Sequence, residues 1–134
     1  MAISVTAGSL TVSSVAIPGS ESIEVWTLAW TSHASAGTVT ATGISGIEGK
    51  ILRVVTNPGS VAPTDNYDIT LSDIDGLDIF EGLGANRDTA NSEEFVPYIS
   101  TYGQVVTQDD LSLAITNAGN SKTGAIKIYL EKTK

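Results

Sequence analysis

The sequence predicts an all-β fold, a single-domain antiparallel β-sandwich or jelly-roll-like barrel. Three observations predict it. Val, Ile and Thr, with 11, 13 and 16 residues, make up 40 of the 134. Branched side chains pack well on a pleated surface and lose freedom in a helix. Apolar and polar residues alternate with period two in run after run, and no dozen-residue window shows convincing helical periodicity. Turn signals recur about every ten residues, the spacing of a sandwich or barrel.

The elements follow in chain order. Ile3 to Ala7 and Leu10 to Ile17 are weakly patterned strands. In Ile23 to Thr31, Trp26, Leu28 and Trp30 share one face, and Val25, Thr27 and Ala29 the other. Thr38 to Ile44 is a further weak strand. Lys50 to Thr56 is apolar on both faces apart from Lys50 and Arg53, which predicts a central strand. Tyr67 to Leu71, Leu111 to Ile115 and Ile126 to Leu130 alternate as half-buried strands do. Glu94 to Ser100 and Gly103 to Thr107 complete the set. Pro18-Gly19-Ser20, Ser35-Ala36-Gly37, Asn57-Pro58-Gly59-Ser60, Asp75-Gly76, Tyr102-Gly103 and Asn117 to Asn120 fall between the runs as turns. Asp78 to Leu83 reads as one turn of helix in a long loop. There is no internal repeat and no linker, so residues 1–134 form one domain. Residues 1–20 are either an extended arm or the domain's first strands.

Composition narrows the function classes. The absence of cysteine removes disulfides, thiolate metal sites and cysteine nucleophiles, and a single histidine removes His-rich metal sites. Fifteen acids against seven bases give a net charge of -8, which repels phosphate backbones, so nucleic acid is not an expected partner. No targeting segment and no membrane span are expected. The charge is segregated: residues 65–110 hold eleven acids and one base, Arg87, whereas residues 117–134 hold four lysines and one glutamate. The acidic block reads first as a solvated loop face. The alternative is a surface that meets the basic C-terminal strand of another copy, or a basic partner.

No chemistry-bearing constellation emerges. Asp73, Asp75, Gly76 and Asp78 resemble a calcium loop only in alternating carboxylates. An EF-hand needs Glu at position 12, and that position is Gly84. An Asp-Gly turn with solvated acids is the simpler reading. His33 lies in a polar loop with no nucleophile elbow nearby. Glu93-Glu94 and Asp109-Asp110 are strand neighbours that point to opposite faces, so neither pair converges as glycosidase acids do. Gly82-Leu83-Gly84 lacks the strand–turn–helix context of a dinucleotide fingerprint. We therefore expect no catalytic residues, no metal site and no cofactor. Trp26 and Trp30 read as core, with a subunit interface or a sugar-stacking face as alternatives.

Three stretches carry a resemblance: Ile47 to Leu71, with its Asn57-Pro58-Gly59-Ser60 and Asp65-Asn66-Tyr67-Asp68-Ile69 phrases; Asp73-Ile-Asp-Gly-Leu-Asp-Ile-Phe-Glu-Gly-Leu-Gly-Ala-Asn to Glu93; and Leu111 to Thr116 followed by Thr123-Gly-Ala-Ile-Lys-Ile-Tyr-Leu. Together, over roughly residues 40–132, the chain resembles small β-rich virion structural proteins of tailed bacteriophages. The resemblance implies a non-enzymatic role, first as a capsid decoration (cement) protein on the outer shell and otherwise as a tail- or fibre-associated β module, with carbohydrate binding as a further alternative. It implies the major capsid protein as partner and self-association as a homotrimer, with a dimer as runner-up. Under that reading the expected contact residues are the large anchors Trp26, Trp30, Tyr98 and Tyr102. The expected charges facing the acidic block of the next copy are Lys122 and Lys127, with Lys132 and Lys134. Residues 1–20, uncharged until Glu21, suit strand addition to a neighbour's sheet, or else an ordinary first hairpin.

Overall fold

The computed structural model describes residues 3–99, 103–108 and 110–132. In chain order the strands are β1 (Ser4–Ala7), β2 (Ser9–Ala16), β3 (Ile23–Thr31), β4 (Val39–Ile44), β5 (Gly49–Pro58) and β6 (Asp68–Ser72). There follow β7 (Glu93–Phe95), β8 (Tyr98–Ile99), β9 (Gly103–Gln104), β10 (Val106–Thr107), β11 (Leu111–Thr116) and β12 (Thr123–Lys132). No helix occurs among the described residues. The fold is all-β, and every strand pairing is antiparallel.

Two sheets enclose one core. The first has the order β1-β4-β11-β6, the second β10-β5-β12-β3-β2, with β7 also on β5. Alternation explains the layering, because residues two apart share a face. Leu28 and Trp30 of β3, Ile51 and Val54 of β5, and Ile126, Ile128 and Leu130 of β12 point inward from one sheet. Val39, Ala41 and Ile44 of β4, Ile69 and Leu71 of β6, and Leu111, Leu113 and Ile115 of β11 meet them from the other. Full burial of each Leu or Ile is worth about 1.5–3 kcal/mol relative to exposure. β5 is the central strand its two-sided apolar pattern predicts, with β12 on one side and β7 and β10 on the other.

The chain changes sheets between β1 and β2 through one residue. Gly8 has φ 74°, and a Cβ there would run into the Thr31 carbonyl oxygen and lie 3.0 Å from that of Thr38. Only glycine accepts both the left-handed backbone and the close approach. Residues 4–16 thus form the first strands of both sheets instead of a free arm.

Three expectations are corrected. Asp78 to Leu83 is not a helical turn. It is a succession of tight turns closed by Glu81 N–H to Asp78 O, Leu83 N–H to Phe80 O and Ala85 N–H to Gly82 O, each bond spanning three residues. The runs 94–100 and 103–107 are each broken in two. Pro97, which has no N–H to donate, stands between β7 and β8. Asn57 and Pro58 do not end their strand. β5 continues through both, paired with Ala125 and Gly124, and the turn begins at Gly59.

Candidate functional site

The interruption near Pro97 creates the most distinctive surface of the molecule. β7 and β10 lie along the same edge of β5, at Val54–Thr56 and Gly49–Lys50 respectively. They are two halves of one edge strand, and residues 96–99 and 103–105 leave that edge between them as a hairpin. Its base is fixed: Ile51 N–H donates to Val105 O at 3.0 Å, Gln104 Nε2 donates to Ile51 O at 3.3 Å, and Val105 is buried. Beyond the base, β8 and β9 pair only with each other. Tyr98 and Ile99 are consecutive in β8, so they point to opposite sides, yet they are 50% and 56% exposed. Beyond its base on β5 the hairpin therefore leaves apolar groups exposed on its two faces.

Other exposed apolar side chains lie toward the same end of the sandwich, spread from the β5 edge of the sheet to the opposite β2 edge. That end is made by the 45–48 and 73–77 connections and by the ends of β2 and β12. Ile74 and Leu77, at the tip of the 73–77 turn, are 72% and 65% exposed, and Val15 near the end of β2 is 68% exposed. Val106 and Val96 complete the group.

The acidic block does a different job. Asp65 accepts an N–H from Thr89, Asp68 from Asn86, Asp73 from Asp75 and Leu77, and Glu93 from Asp88. Asp78 accepts three, from Leu71 at 3.2 Å and from Phe80 and Gly82 at 3.0 Å. Asp88 accepts from Ala90 at 2.6 Å and Asn91 at 2.8 Å, and these bonds hold its carboxyl below the ordinary value of 3.8. The carboxylates are backbone acceptors that stitch the 73–92 loop together. The loop in turn covers the outer edge of β6 through Ile79 N–H to Leu71 O, Ile69 N–H to Gly84 O and Arg87 N–H to Tyr67 O. Phe80 plugs it into the core, edge-on to Phe95 at 5.3 Å. Among the described residues no group of three or more His, Asp or Glu side chains is placed to hold a metal ion.

The expected contact residues divide. Trp30 is 3% exposed, packed at 5.7 Å against the fully buried Tyr67, so it belongs to the monomer's core. Trp26 faces inward at the sandwich end, half-buried beside Gly46, with Nε1 donating to Glu24 at 3.2 Å. Neither offers a flat exposed face. Tyr98 is exposed on the hairpin, while Tyr102 lies outside the described residues. Lys127 sits on the outer face of β12 between Thr27 and Val55. Lys122 precedes β12, its backbone N–H bonded to Ser32 Oγ. Lys132 is 3.9 Å from Glu24 of its own chain, and Lys134 lies outside the described residues. Arg87, the one base in the acidic block, is 3.4 Å from Glu93.

The singled-out catalytic candidates are occupied locally. His33 Nδ1 accepts the N–H groups of Ser35 and Ala36 at 3.1 and 3.0 Å, closing its own turn. Glu93 and Glu94 diverge, one toward Arg87 and the other toward Arg53. A shallow groove of about 370 Å³ crosses the outer face of β2, β3, β5 and β12, lined by Ser9, Thr11, Ala29, Asn57, Thr123 and Ala125 among others. It supplies hydroxyls and an amide but no titratable group. The sequence does not mark the hairpin, because its alternation reads as ordinary strand. The only signal was Pro97 inside a predicted strand. Among the described residues no helix is long and apolar enough to cross a membrane. No protein-family model, curated protein or solved structure matches the chain.

Proposed function

We propose that the protein is a non-enzymatic structural protein of a bacteriophage virion, a decoration protein that binds the outer capsid shell and cements neighbouring capsomers. The observation that carries this reading is the apolar end of the sandwich, with Tyr98 and Ile99 on a hairpin anchored at its base and exposed on both faces. A hairpin of this kind gains its burial only against a partner. The resemblance to virion proteins supplies the identity of that partner, the major capsid protein. The mechanism is mass action: a protein that binds the assembled shell and not loose subunits stabilises assembly in proportion to its affinity. The outer capsid surface is then its location. The resemblance implies copies grouped about three-fold axes, a two-fold pair being the other arrangement.

The test is binding to shells. Purified chain is mixed with capsids that lack it, and pelleting and cryo-microscopy locate the density. Wild type is expected on the outer shell, and Tyr98→Ser with Ile99→Ser to leave the fold intact and lower shell occupancy at least tenfold. Density confined to the tail or its fibres defeats the cement role and supports the tail-module reading. A carbohydrate role needs another platform than the tryptophans, since Trp30 is in the core and Trp26 is half-buried.

A further inference from the structure

We propose that β2 is a self-pairing edge, through which two copies of the chain join antiparallel into one continuous sheet about a two-fold axis. The other long edges of the sandwich are covered. The 73–92 loop bonds along β6, and β7 and β10 lie along β5. β1 is open but short, four residues, and its register shifts between Val5 and Ala7. Shortness and bulging are two of the devices that keep natural edges from pairing; the others are charge, proline and cover. β2 uses none of them. It runs eight residues, Ser-Leu-Thr-Val-Ser-Ser-Val-Ala, without charge, proline or glycine. It stays in unbroken register with β3 from Ser9↔Thr31 to Ala16↔Glu24, and no strand among the described residues pairs with its other side.

Charge identifies the occupant. With a net charge of -8, two copies repel wherever their acidic surfaces meet. The stretch from residue 1 to Ser20 holds no charged side chain, so β2 is a line along which copies approach without that opposition. An edge with no charged side chain also has nothing with which to select a charged strand from another protein. A second β2 matches it in length, neutrality and polarity, because an antiparallel contact of a strand with its own copy presents the same patch from both sides. Facing is consistent too. Leu10 and Val12 lie on the inner face with Trp30 and Leu28, and Thr11 and Ser13 on the outer face with Ala29 and Thr27. Directly opposed residues share a face, so the allowed registers are centred on Val12 or on Ser13. Either one continues both cores across the join. This two-fold pair departs from the three-fold grouping expected by resemblance, and it does not depend on which surface the protein binds.

The test is made on the purified chain in solution. One strand edge is narrower than a standard interface, so self-association in the micromolar range is expected and sedimentation velocity spans about 1–200 µM. Wild type should form a dimer. Thr11→Lys with Ser13→Lys, at two exposed outer-face positions, should shift the dissociation constant at least tenfold upward with an unchanged circular dichroism spectrum. Because the chain has no cysteine, single Val12→Cys and Ser13→Cys variants read the register: one of them should give a disulfide-linked dimer under mild oxidation. A monomer across the range, a trimer, a dimer indifferent to the lysine pair, or the absence of cross-linking in both cysteine variants overturns the proposal.

Discussion

Gly124→Ala adds one methyl group where the core has no room for it. Gly124 lies in β12 opposite Trp30 and Pro58, and the Trp30 indole lies over it. A Cβ there would collide with indole Cζ2, stand 2.7 Å from Cε2 and lie 3.1 Å from the Asn57 carbonyl oxygen. The indole has nowhere to go. It is 3% exposed and packed at 5.7 Å on Tyr67, itself fully buried. Overpacking costs about 1–3 kcal/mol, and a rigid ring as the obstacle puts this case near about 3 kcal/mol. With a urea slope of about 1.5 kcal/mol/M, the midpoint should fall by about 2 M. The assay is urea unfolding followed by far-UV circular dichroism, repeated in a Trp30→Phe background. The smaller ring opens space and removes an indole N–H that has no hydrogen-bond partner among the described residues. The glycine substitution should therefore cost at least about 1 kcal/mol less there, a coupling that neighbours show and distant sites do not. A Gly124→Ala cost below about 0.5 kcal/mol, or strict additivity with Trp30→Phe, would refute the reasoning.

The other expectations concern the loop and pH. Asp78→Ala removes the acceptor of three backbone N–H groups and should cost about 2 kcal/mol in the same assay. Because Asp73 and Asp78 already accept backbone N–H groups, EDTA should leave the melting temperature unchanged; a fall restored by calcium would contradict this. Burial pushes the Tyr67 phenol up to about 12, partly opposed by Arg87, so the fold favours its neutral form. Its contribution is complete below pH 10.0 and lost as the pH rises from there toward 12, which a melting series in alkaline buffers will show. Asp88 has the opposite sign: its depressed value gives stability that is present above 3.8 and lost as the pH falls below it.

Much of this fold was legible because alternation reports burial directly. Ile23 to Thr31 is predicted with both of its observed ends, and Leu111, Leu113 and Ile115 face the core as their spacing requires. Sheet membership was not legible, because it depends on which distant strands meet. Nothing local announces that β4 pairs with β1 and β11 while β3 pairs with β2 and β12. The internal bonding of the acidic loop was not legible for a physical reason: a carboxylate that accepts its own backbone and one that only meets water have the same sequence signature. Alternation puts Trp26 and Trp30 on the inward face with Leu28, against the contact role expected of them, but only the packing of Trp30 over Gly124 shows how firmly one of them is held. The hairpin at Tyr98 was illegible because exposure of an apolar residue is set by what fails to pack against it.

The place of β12 in its sheet bears on how the chain folds. It lies between β3 and β5, and it follows both in the chain, pairing Tyr129 with Val25 on one side and with Arg53 on the other. Until residues 123–132 have been made, β2–β3 and β5 have no strand to join them, and the inner faces of Leu28, Ile51 and Val54 have lost the neighbour that divides them. Sheet closure must therefore wait for late synthesis and then bridge about a hundred residues of intervening chain, the kind of long-range pairing that makes β proteins slow to fold. During that wait the nascent protein carries unpaired apolar strands, so its yield in the cell should depend on temperature and chaperone supply more steeply than its equilibrium stability alone would suggest.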